Sequence, residues 1–114
     1  MSNKIKAVLQ EYVKGLLKII GKDLKKVILY GSYARGEEDK NGETSDIDIM
    51  ILVDANQEQI KEIEKKVIDY SYDLDLLYDI LLSPIIENIE NYKNRARYMT
   101  FYKNVENEGV LLNG

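Results

Sequence analysis

The chain has 114 residues, 45% of them apolar and 32% charged, and 16 Lys and Arg against 20 Asp and Glu give a net charge of −4. That is room for one domain, residues 1–114, with a modest core, and its three arginines (Arg35, Arg95, Arg97) are too few for general nucleic-acid binding, which needs clustered cations. Cysteine and histidine are both absent, which excludes disulfides, thiolate chemistry and imidazole catalysis, so proton transfer falls to carboxylate, Lys or Tyr and any metal must be hard and oxygen-bound.

In chain order, Ile5, Val8, Leu9, Tyr12, Leu16, Ile19 and Ile20 recur at spacings of three and four, which predicts an amphipathic helix over residues 3–20 that Gly21 ends. This charged, periodic opening is unlike a secretory leader. No apolar run approaches the length of a membrane span. With no cysteine, these features fit a cytoplasmic protein. Lys26–Tyr30 reads as a buried strand running into Gly31, with Ser32 suited to cap a helix. Residues 37–45 are polar, contain Asn41-Gly42 and read as an exposed loop. Asp46–Asp54 reads as a second strand and Gln57–Leu77 as a long helix. Asp79–Ile86 reads as a third strand that Pro84 confines to an edge. Residues 87–97 look irregular, and a last short helix runs from Thr100 to Glu108 before Gly109. The order predicts a two-layer α/β domain, a small sheet packed against helices.

Two features carry chemistry. Asp46 and Asp48 alternate with Ile47 and Ile49, so both carboxylates face one side of a strand. Paired carboxylates repel, and a divalent cation between them relieves the repulsion; Mg²⁺ is the natural choice for oxygen ligands. Two solvated aspartates at a strand mouth are the plain alternative. The second feature is Gly31-Ser32-Tyr33-Ala34-Arg35-Gly36, directly after a strand. Gly31 allows close backbone approach, Ser32 and the local amides suit an anion, and Arg35 can add charge to a phosphate. An ordinary capped turn, with Arg35 paired to Glu37 or Glu38, is the alternative here.

Together, ILYGSYARGE and SDIDIMILVD resemble the minimal nucleotidyltransferases of the DNA polymerase beta superfamily, whose signature is Gly-Ser before a turn and then Asp-x-Asp on the next strand. The resemblance covers essentially the whole chain, including the tail TFYKNVENEGVLL. The stretch between the two motifs is longer than the family's usual one, and the extra length falls in the polar loop, where insertion costs little. The resemblance implies the nucleotidyltransferase fold, with ATP as donor along Gly31, Ser32 and Arg35. It implies Mg²⁺, two ions by the family's pattern, on Asp46, Asp48 and a third carboxylate from the next strand. Asp79, at the start of the third strand, is the choice for that carboxylate over Asp73 and Asp75, which fall on the helix. It further implies an antitoxin that transfers AMP to a hydroxyl, a tyrosine in the first instance, of a partner HEPN ribonuclease toxin. Tyr92, Tyr98, Phe101, Tyr102 and Val105 are candidate contacts for that partner, or else core. In a chain this short the partner would bring its own acceptor surface. A small-molecule acceptor such as an aminoglycoside, or a catalytically silent toxin-binding module, stand as alternatives.

Overall fold

The computed structural model describes residues 1–37 and 46–114; apart from Glu37, the loop read at 37–45 lies outside the described residues. Four strands, β1 (Leu24–Tyr30), β2 (Ile47–Val53), β3 (Leu82–Asn88) and β4 (Val110–Asn113), form one mixed sheet in the order β3-β2-β1-β4. β1 pairs antiparallel with both β2 and β4, whereas β2 and β3 run parallel. A parallel pair needs a long crossover, and helix α3 (Gln57–Tyr78) supplies it. β3 is an edge strand, where Pro84 can omit its N–H from the ladder at no cost to a neighbour.

Helix α1 (Asn3–Ile20) begins where the Ser2 hydroxyl accepts from the Ile5 amide at 3.2 Å and ends at Gly21, whose φ of 73° lies in the left-handed region. α3 opens with a capping box in which Asn56 and Gln59 each satisfy the other's backbone amide at 2.9 Å. The two helices pack together on one face of the sheet. The Tyr12 hydroxyl meets the Ser71 hydroxyl at 2.7 Å, and the Tyr12 and Tyr70 rings stack at 5.5 Å. Beneath them lie Ile47, Ile49, Ile51 and Val53 with Val27 and Leu29, all fully buried.

The terminal helices α4 (Ile89–Ala96) and α5 (Thr100–Glu108) cover part of the other face, where Ile28, Met50 and Leu52 pack against Tyr92 and Val105. β2 is therefore apolar at every position from Ile49 to Val53, as a strand covered on both sides must be. α4 and α5 are tied to β3 through Glu87, which receives Arg95 at 2.7 Å and the Tyr102 hydroxyl.

Three segments differ from the sequence reading by more than a residue or two at an element's end. The stretch expected to be irregular contains the end of β3 and α4, which is capped by Asn88 accepting from the Asn91 amide at 3.0 Å. β4 appears after Gly109 because pairing with β1 holds it. The third strand starts at Leu82, not Asp79: α3 continues to Tyr78, and Asp79 ends it in the left-handed conformation with φ 53°. The Ile80 amide still bonds back to the Asp75 carbonyl, so the chain is not free to extend before Leu82.

The covering of both sheet faces makes a quantitative prediction. Met50→Ala, on the α5 side, should lower unfolding free energy by about 2–5 kcal/mol, as for a closed core site. Urea denaturation measures it, and a loss below about 1 kcal/mol would mean that the second face is open.

Candidate active site

The β1–β2 ladder ends with Tyr30 opposite Asp48, so the C-terminal end of β1 and the N-terminal end of β2 lie together at one edge formed by the strand ends. β1 turns sharply at Gly31, φ 77°, into the single turn α2 (Ser32–Arg35), which Gly36 closes in the left-handed conformation. Gly31 passes so near β2 that a β-carbon there would overlap Asp48 Oδ2. Only glycine supplies both the positive φ and that clearance.

Asp48 is half-buried on this edge, beside the exposed Asp46. Its carboxyl is raised above the usual carboxylate value, first by burial and then by the Asp46 charge, with Arg35 partly offsetting both. Arg35 lies 3.5 Å from Glu37 Oε2 and 3.6 Å from Glu108 Oε2, joining α2 to the end of α5. Among the described residues the Ser32 hydroxyl has no hydrogen-bond partner. Tyr30 closes the site on the sheet side. Burial pushes its phenol up to about 12, with Asp48, Tyr102 and Glu87 adding to the shift, so it stays protonated at neutral pH.

The structure thus brings Gly31, Ser32, Arg35, Asp46 and Asp48 to one edge. It does not join Asp79 to them: no three carboxylates gather among the described residues. On β3 the residue in register with Asp48 is Ser83. The two aspartates fit a hard divalent cation by donor chemistry, since both offer only oxygen and the mutual repulsion that raises Asp48 is what a cation relieves.

The matching family is the nucleotidyltransferase domain, over residues 9–111. The chain belongs to that family. It is 41% identical over 103 residues to the putative protein adenylyltransferase MJ0141 of Methanocaldococcus jannaschii, covering 90% of this chain and 93% of that protein. It is 36% identical over 110 residues to the putative protein adenylyltransferase MJ0604 of the same organism, covering 96% and 98%. Among solved structures, a mutant MntA–HpeT toxin–antitoxin complex superposes with a TM-score of 0.55 at 18% identity, over 92% of this chain and 72% of that one. A toxin–antitoxin complex with AMP-PNP gives 0.52 at 20%, over 92% and 73%. At those identities the likeness is one of fold.

Sequence reasoning passed over Asp75, which sits on α3 but is not simply solvated. Its Oδ1 accepts the Leu82 amide at 2.8 Å, and burial raises its carboxyl, with Asp46 adding to the shift. It anchors the start of β3 beside the start of β2. The contact spans seven residues and two elements, so helical spacing carries no sign of it. Of the aromatic group, Tyr92 and Val105 are core, Tyr98 and Phe101 are exposed, and Tyr102 is half-buried against Glu87.

The Asp48 shift has a definite sign. Its folded value lies above the ordinary 3.8, so the folded state holds the proton more tightly and ionisation opposes folding. The penalty is absent below the ordinary value, grows as pH rises through the raised one, and is constant above it. Asp48→Asn, in divalent-free buffer, should therefore be more stable than the parent at neutral pH, with an advantage that vanishes near about pH 3. Paired urea titrations at the two pH values test this; an Asn variant less stable at neutral pH would contradict it.

Proposed function

We propose that the chain is an adenylyltransferase that moves AMP from ATP to a tyrosine hydroxyl of a partner HEPN-type toxin and so acts as its antitoxin. The observation that carries this is the carboxylate pair Asp46 and Asp48 set against the Gly31 turn in a nucleotidyltransferase domain. Support for the acceptor comes from the relatives named as protein adenylyltransferases and from the toxin–antitoxin complexes that share the fold.

In this reading Gly31, Ser32 and Arg35 bind the triphosphate, and Asp46 and Asp48 hold Mg²⁺. Mg²⁺ held there would supply positive charge to offset the charge of the triphosphate and of the pyrophosphate that leaves. The acceptor oxygen attacks the α-phosphorus, the bond to the β-phosphate oxygen breaks, and pyrophosphate leaves. The hydroxyl proton passes to a carboxylate oxygen at the site. Arg35, beside Glu37 and Glu108, presents its charge at the turn.

A protein acceptor also suits the surface. Ile68, Tyr72 and Leu76 recur every four residues on the outer side of α3, with Leu77 and Leu81 beyond, and all are at least 50% exposed. The Leu81 carbonyl accepts the Ile47 amide at 2.8 Å, so this apolar run ends beside Asp46. From Val67 to Tyr92 the chain has no Lys or Arg, whereas Asp69, Asp73, Asp75 and Asp79 flank the run. Its complement is an apolar surface edged with basic residues, and a small molecule has no use for it.

Incubation with ATP, Mg²⁺ and the product of the neighbouring gene is expected to add the mass of one adenylyl group to that partner. The double change Asp46→Asn, Asp48→Asn should abolish the adduct, and an adduct that persists rules out the assigned site. Leu76→Glu is expected to slow transfer to the partner roughly tenfold or more with ATP binding unchanged; equal loss of ATP binding would show that the α3 face is not the docking surface.

A further inference from the structure

Beside the Gly31 turn, between α2 and α5, lies an open hollow of about 200 Å³. One side is Gly31 and Arg35. The other is Phe101 and Asn104, three residues apart and so on one side of α5, with Tyr30 and Glu108 at the edges. We propose that this hollow receives the purine base of the nucleotide, with Phe101 as its stacking surface and Asn104 as the residue that reads adenine. The inference rests on the nucleotidyl-transfer reading above, because the turn that borders the hollow is the one assigned there to the triphosphate.

Three observations point to a base. First, Phe101 is 45% exposed, yet its ring is held on two sides. It meets Tyr30 edge-on at 5.6 Å and Tyr102 edge-on at 5.1 Å, and Tyr102 is itself fixed by Glu87 and Arg95. An exposed ring fixed in this way offers a ready stacking surface. Second, the Asn104 side chain is exposed and has no hydrogen-bond partner among the described residues. An amide offers one acceptor and one donor side by side, which matches the amino group and ring nitrogen on an adenine edge. Guanine presents two acceptors there, a pattern that suits Arg or Lys. Third, the Glu108 carboxylate at the edge of the hollow can accept but not donate, which suits the adenine amino group and not the two guanine acceptors on that edge. The lining therefore favours adenine.

The test uses the full chain and two ligands, ATP and inorganic tripolyphosphate, with GTP as the specificity control, all measured calorimetrically with Mg²⁺. Phe101→Ala and Asn104→Ala both change exposed side chains, so folding should survive. Each should weaken ATP binding by roughly tenfold or more and leave tripolyphosphate binding within about twofold. Asn104→Ala should also remove most of the preference for ATP over GTP. Wild-type protein that binds ATP with both variants unaffected, or variants that lose ATP and tripolyphosphate alike, would overturn the inference alone. Wild-type protein that binds neither ligand would overturn the nucleotidyl-transfer reading and this inference with it.

Discussion

The site depends on one close passage, that of the Gly31 backbone against the Asp48 carboxylate. The β1–β2 ladder brings the two strands to the same edge at the Tyr30–Asp48 pair, and the missing side chain at position 31 lets β1 turn there without displacing Asp48. Any other residue would need both a left-handed backbone and space already filled by Oδ2. The turn and the carboxylate pair are thereby fixed side by side before any ligand arrives, which is the preorganisation that phosphoryl transfer exploits.

The rest of the fold packs the sheet behind that edge and leaves it charged. α1 and α3 seal one face of the sheet, and α4 and α5, pinned to β3 through Glu87, seal part of the other. Asp48 is half-buried there, and burial together with the charge of Asp46 raises its carboxyl. The same packing sets α5 against α2, with Glu108 reaching Arg35, so the helix that closes the second core cluster also forms one wall of the hollow beside the turn.

What could be read from sequence followed from local periodicity. The strand alternation that sets Asp46 and Asp48 on one side, the buried run into Gly31 and the spacing of α1 and α3 all recur at fixed intervals along the chain. Asp79 was misplaced on a strand because α3 ends on an aspartate in the left-handed conformation, where a glycine would have marked the stop. α4 was passed over because only Tyr92 among its eight residues is buried, leaving Asn88 as the sole capping signal. β4 exists through pairing with β1, and Asp75 matters through Leu82, neither of which lies within one element. Phe101 and Asn104 share a helix face by spacing, but that the face turns toward Gly31 is settled only by the fold. The family resemblance supplies the nucleotidyltransferase chemistry, and its third carboxylate has no counterpart on β3 in register with Asp48, where Ser83 stands.

The central claim is that the Gly31 turn and the Asp46–Asp48 pair form one site for a cation-bound nucleoside triphosphate. A crystal structure with Mg²⁺ and a non-hydrolysable ATP analogue tests it most directly. The account predicts density for a cation touching oxygens of both aspartates and of the triphosphate, with the phosphates along Gly31 and Ser32. A nucleotide bound elsewhere on the chain, or one at the turn with both carboxylates turned away from it, would contradict the account.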